Sequence, residues 1–106
     1  QVILGDCYGA ACDREVLDRV EAVFRRAGLV VARNAPFAGA YIAQHYGQPS
    51  RGMNVIQIEI DRRLYLDEVN VAPGPDFHAF RALMGEVVEG IAEIGRPDDA
   101  LKVAAE

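Results

Sequence analysis

A carboxylate set in a run of β-branched residues is the first group here suited to chemistry. Asn54 to Glu68 reads NVIQIEIDRRLYLDE, with Glu59 inside the apolar run and Arg62 and Arg63 just beyond it. Burying an unpaired charge costs several kcal/mol, so such a residue needs either a partner or a task. In an extended chain Val55, Gln57 and Glu59 share one face, while Asn54, Ile56, Ile58 and Ile60 share the other. Glu59 then lies near the C-terminal end of a strand, where open α/β sheets place ligands and a general base could work. The alternative is an edge-strand carboxylate paired with Arg62 or Arg63. Arg62 offers a planar fork that matches two carboxylate oxygens of a substrate; an ion pair with Asp61 or Glu68 is its other reading.

Further upstream, Asn34 closes the apolar segment LVVAR and precedes Pro36. It is placed to bind a carboxylate or carbonyl, or to form an Asx turn before the proline. Tyr41 can donate a hydrogen bond to a polar ligand group, or simply pack. Asp6 is a site residue or a loop cap. Cys7 and Cys12 are not spaced as a CxxC pair, and no further Cys or His follows them with zinc-ligand spacing. Nothing in the spacing supports Cys–His catalysis by Cys7 with His45 or His78, and Gly5 to Gly9 lacks a phosphate-cradling glycine pattern.

The elements that must position these groups read as an α/β unit. Val2–Leu4 is a short buried strand. Asp13 is placed to cap a helix whose apolar face is Val16, Leu17, Val20, Phe24 and Ala27, with Gly28 as its C′ residue. Leu29–Arg33 is the next strand, and strand, helix, strand within about thirty residues is the pattern of parallel pairing. A loop-rich stretch follows, with a helical turn or two expected over Ala40–Tyr46. Asn54–Ile60 is read as a central buried strand parallel to the others. Arg62–Asp67 is a short turn or helix start, and Val69–Pro75 a linker. Asp76 is placed to cap a last helix with Phe77, Phe80, Leu83, Met84, Val87, Val88, Ile91 and Ile94 on one face, stopped by Gly95 and Pro97. Asp98–Glu106 is a tail without a clear role.

The chain has 106 residues, 51% hydrophobic and 25% charged, with a net charge of −5 and no basic run. That composition excludes a disordered chain and argues against nucleic acid as partner. No membrane span or signal-peptide pattern is present, so the cytoplasm is the expected compartment. The chain starts at Gln1 and runs straight into a strand, and its sheet wants neighbours that it barely supplies. It is expected to be a single domain, or the C-terminal part of a larger one, completed by an N-terminal half or by self-association through a sheet edge.

The segment QIEIDRRLYLDE resembles the QxEINRxLYMDE segment of the N-formylglutamate amidohydrolase family. LGDCYGAACD is similar to its LGDRFGTSC segment, with Cys7 and Ala11 replacing Arg and Ser. RNAPFAGAYIAQHYG is similar to RNxPYxGGYITRHYG, with Ala40 for Gly and Ala43 for Thr; in the last segment Asp61 stands for Asn. The resemblance spans Val2 to Glu68 in the family's order. It implies a fold like the zinc carboxypeptidases (phosphorylase/hydrolase-like, a mixed or parallel sheet with flanking helices). It implies metal-dependent hydrolysis of N-formyl-L-glutamate, or a related N-acyl amino acid, to formate and glutamate in histidine breakdown. It makes Glu59 the catalytic carboxylate and Asn34, Gly39, Tyr41 and Arg62 the substrate-binding residues. Zinc would be held outside this chain, which contains no HxxE motif, so the chain alone would be inactive. A non-catalytic α/β binding or interaction domain derived from that fold is the alternative.

Overall fold

The computed structural model describes residues 1–96. The expected stop at Pro97 and the tail Asp98–Glu106 lie outside them. The first strand, β1 (Val2–Gly5), is followed by α1 (Arg14–Arg26) and β2 (Val31–Arg33). Next come a six-residue helix α2 (Tyr41–Tyr46), a 3₁₀ turn at Pro49–Arg51 and β3 (Gln57–Ile60). A second 3₁₀ turn at Arg62–Leu64 leads to the hairpin of β4 (Leu66–Asp67) and β5 (Ala72–Pro73). The long α3 (Phe77–Ile94) follows.

The sheet has strand order β2-β1-β3, with β1 parallel to β2 and antiparallel to β3. Two expectations are thereby corrected: β3 is an edge strand rather than the central one, and it runs against the others. The cause lies where the chain enters it. Val55 N donates to Ala11 O at 2.9 Å, and Asn54 Oδ1 accepts from Asp13 N at 2.7 Å. These bonds pin the start of β3 to the loop after β1, so the chain can only run back along β1. The linker reading of Val69–Pro75 is also corrected, because Ala72–Pro73 pairs with Leu66–Asp67.

One face of the sheet is covered. Val2, Leu4 and Val31 pack with Leu17, Val20, Val23 and Phe24 of α1 and Val87 of α3, and Ile56 and Ile60 join from the β3 segment. Each methylene removed from water there contributes about 0.8 kcal/mol, and this layer is the source of the fold's stability. The helix α1 ends as expected: Gly28 has φ +84, its N–H reaches Arg25 O at 2.9 Å, and Leu29 N–H reaches Phe24 O at 3.2 Å. That pair of bonds is a Schellman motif. Asp13 and Asp76 do occupy the N-cap positions of α1 and α3, but neither side chain makes a capping bond. Val88, expected on the apolar face of α3, is 63% exposed. No helix among the described residues is long and apolar enough to cross a membrane.

An ion network ties β2 to α1. Arg33 reaches Asp18 Oδ1 at 2.6 Å and Glu21 Oε1 at 2.8 Å, and Arg25 reaches Glu21 Oε2 at 3.2 Å. The Arg33 bond foremost, with Arg25 behind it, holds the Glu21 carboxyl below its ordinary 4.5 against the opposing effect of burial. A depressed folded-state value means stability that is present above the unfolded value and lost as pH falls through the folded one. We therefore expect Arg33→Met to lower the unfolding free energy by about 1–2 kcal/mol at neutral pH, discounted for the exposure of Asp18. The gap between variant and parent should narrow as pH drops below 4.5. Denaturant titrations at several pH values measure this, and a gap that stays constant down to acid pH would disprove it.

Candidate active site

Three residues outside the usual backbone regions gather around the end of β1. Cys7, Tyr8 and Asn34 have φ of 54°, 55° and 62°. Left-handed backbone costs a non-glycine residue roughly 1 kcal/mol and persists only where surroundings enforce it. Here Asn34 supplies the enforcement. Its Oδ1 accepts from Asp6 N at 3.1 Å and Tyr8 N at 3.3 Å, its Nδ2 donates to Asp6 Oδ1 at 2.9 Å, and its own N–H donates to Leu4 O at 2.9 Å. Asp6 is 3% exposed. The asparagine amide thus ties the loop after β1 to the end of β2, and a ligand would meet only what that network leaves over.

Gly39 stands against this loop. It has φ +124, and a Cβ on it would come within 3.0 Å of Cys7 Sγ and 3.2 Å of Ala43 Cβ. Cys7 N donates to Ala38 O at 2.7 Å. The next residue, Ala40, gives its N–H to Gln57 Oε1 at 2.9 Å, and Gln57 Nε2 donates to Glu59 Oε1 at 2.8 Å. A continuous chain of bonds therefore joins the Ala38–Ala40 segment to Glu59 through one amide. Glu59 faces Ile3 across the sheet, and Gln57 faces Gly5. Both project from the face opposite the α1–α3 layer, because Val2 and Leu4 point into that layer.

Neither Arg62 nor Arg63 pairs with Glu59. Arg63 binds Asp61 at 2.7 Å, and Arg62 binds Glu68 at 3.4 Å. The Arg63 guanidinium and backbone N–H pull the Asp61 carboxyl down to about 2. Among the described residues, the bond from Gln57 is the one that holds the Glu59 carboxylate. That bond uses Oε1 and leaves the second carboxylate oxygen of this half-buried side chain without a hydrogen bond among the described residues.

The structure brings Glu59 and Gly39 together through Gln57, and Asn34 through the Asp6–Cys7 loop. Arg62 lies beyond Ile60, which faces Val2, at the other end of β3. Three residues of strand, about 10 Å, separate that end from Gly5. Tyr41 is 67% exposed at the start of α2 and stacks on His45, with ring centres 5.0 Å apart. Gln57 was not singled out from sequence, although its position two residues before Glu59 on the same strand face was the available signal.

A cavity of about 310 Å³ lies beside the Asp6 loop, lined in part by Asp6, Arg14, Arg33 and Asn34. Glu59 is not among its lining residues, and Arg33 is already spent on Asp18 and Glu21. Cys12 is not available as a nucleophile. Burial foremost, then the charges of Asp6 and Asp13, push the Cys12 thiol up to about 11, so it is protonated at neutral pH. Among the described residues no three His, Cys, Asp or Glu side chains gather to hold a metal ion. The donor set of the described residues does not fit zinc.

Fold and site together define a mixed α/β unit whose uncovered face presents an amide-held carboxylate beside a glycine loop. Residues 1–66 match the model of the N-formylglutamate amidohydrolase family, and the chain belongs to that family. It is 36% identical over 96 residues to an N-formylglutamate deformylase of Pseudomonas aeruginosa, covering 88% of this chain and 36% of that protein. An N-formylglutamate deformylase of Pseudomonas putida is 33% identical over 66 residues, covering 61% of this chain and 25% of that protein. The crystal structure of an N-formylglutamate amidohydrolase from Ralstonia eutropha JMP134 superposes with a TM-score of 0.76 at 30% identity, covering 89% of this chain and 33% of that one. The chain thus spans between a quarter and about a third of the length of these relatives.

Proposed function

We propose that this chain is the C-terminal part of an amidohydrolase that cleaves N-formyl-L-glutamate, or a related N-acyl amino acid, to formate and the free amino acid. The observation that carries the reading is Glu59: half-buried, oriented by Gln57 at 2.8 Å, and paired with no arginine among the described residues. In the reaction Glu59 takes a proton from the water that attacks the formyl carbon, and the carbon–nitrogen bond breaks. The proton passes to the leaving amine, so formate and glutamate leave with atoms balanced. The family relatives are named for this hydrolysis.

Zinc would take its ligands from outside this chain, in a fold of the carboxypeptidase-like kind. The part of the protein that supplies those ligands is also the partner expected to complete the sheet.

Substrate binding falls to groups at the two ends of β3. Arg62 is largely exposed and held by a single 3.4 Å contact to Glu68, so its fork is available to a substrate carboxylate. Gly39 lets the loop close on the site, and Tyr41 and the remaining hydrogen-bonding capacity of Asn34 face substrate once the site is complete. The test is formate release from N-formyl-L-glutamate by the complete protein that carries this chain, beside Arg62→Ala. The variant should raise KM about tenfold or more with kcat nearly unchanged, the pattern of lost uniform binding. Metal analysis of the same preparations checks the cofactor. Binding of N-formyl-L-glutamate without any formate from the parent would sink the enzyme reading in favour of a non-catalytic binding domain.

A further inference from the structure

We propose that Gln57 is a positioning residue that sets the orientation of Glu59 and couples it to the Gly39–Ala40 loop; the inference rests on the reading of Glu59 as the base. One side-chain amide makes both connections. Its Oε1 accepts from Ala40 N at 2.9 Å and its Nε2 donates to Glu59 Oε1 at 2.8 Å. The first bond fixes which way round the amide sits, because a backbone N–H needs the oxygen end. The nitrogen end is then committed to the carboxylate.

The geometry gives this arrangement two consequences. Glu59 and Gln57 are two residues apart on one strand, so their side chains rise side by side from the same face. The bond between them holds a rotor that would otherwise sample several staggered positions at an open surface. The loop end of the amide rests on Ala40, the residue before α2, whose neighbour Gly39 has no room for a side chain beside Cys7 Sγ. A shift of that loop is therefore passed to the carboxylate without any contact between loop and carboxylate. Substrate that seats the loop aligns the base.

The experiment is a double-mutant cycle on formate release by the complete protein, using Gln57→Met, Glu59→Gln and the pair together. Gln57→Met keeps the length of the side chain and loses both bonds. It should lower kcat by about 10- to 100-fold with KM changed less, as expected when a reacting group is misplaced by about an ångström. Added to Glu59→Gln, it should cost less than about twofold more, since a group that acts through the base has nothing left to orient. Gln57→Glu is the second variant. It keeps an oxygen for Ala40 N and replaces the donor with a like charge facing Glu59, so the loop stays anchored while kcat falls at least as far as in Gln57→Met. Losses that multiply in the double variant, or Gln57→Glu with the parental kcat, would overturn the positioning role. Turnover retained in Glu59→Gln itself would instead remove the base, and the inference with it.

Discussion

Glu59→Gln in the complete protein is expected to lower kcat for formate release by about 10²–10⁴-fold, the range that a positioned general base contributes. The substitution is close to isosteric. Glutamine offers the same carbonyl oxygen to Gln57 Nε2, so the 2.8 Å bond has a successor and the link to Ala40 survives. What disappears is the capacity to take a proton. The change therefore removes about 3–5 kcal/mol of transition-state stabilisation while fold, metal content and substrate affinity stay near those of the parent. A destabilised variant would show the same drop for the wrong reason, so denaturant midpoints belong beside the kinetics. Parental kcat in a folded Glu59→Gln protein would move the reaction off this strand face altogether.

Much of what surrounds Glu59 was legible in the sequence, and the remainder was not for definable reasons. The β1–α1–β2 unit follows from local signals: the 3.6-residue spacing of Leu17, Val20 and Phe24, and a glycine at 28 that closes α1. The short helix at Tyr41–Tyr46 and the long one at Phe77–Ile94 also follow from local pattern. The direction of β3 does not, because alternation along QIEI is the same read either way relative to its neighbours. Direction was decided by Asn54 Oδ1 meeting Asp13 N, a bond between residues far apart in sequence. The charge partners show the same division. Arg62 and Arg63 are adjacent to the strand end, yet the turn at Arg62–Leu64 carries both away from Glu59 toward Glu68 and Asp61. Asn34 was visible as a residue of interest, but its role in enforcing three left-handed residues needed the loop of Asp6–Tyr8 folded onto it.

Gly5→Ala should disrupt this site with a single methyl group. A Cβ at Gly5 would sit 2.7 Å from Ala38 C, 2.8 Å from Ala38 O and 2.9 Å from Gly39 N. All three are backbone atoms, so no side chain can swing aside. The loop itself must retreat by several tenths of an ångström, and it cannot do so quietly. It carries the 2.7 Å bond from Cys7 N to Ala38 O and the 2.9 Å bond from Ala40 N to Gln57 Oε1. Overpacking of this kind costs about 1–3 kcal/mol in stability. The larger effect falls on activity, because the loop that retreats is the one whose amide link steers Glu59; about an ångström of misplacement costs on the order of 10²-fold. Gly9→Ala is the informative companion: alanine would be strained at φ +93, but nothing lies within 4 Å of the Cβ position. It should lose stability from backbone strain with far less loss of kcat. If Gly5→Ala instead kept both the parental midpoint and the parental kcat, the close approach of the Ala38–Gly39 backbone to β1 would not be what holds the carboxylate in place.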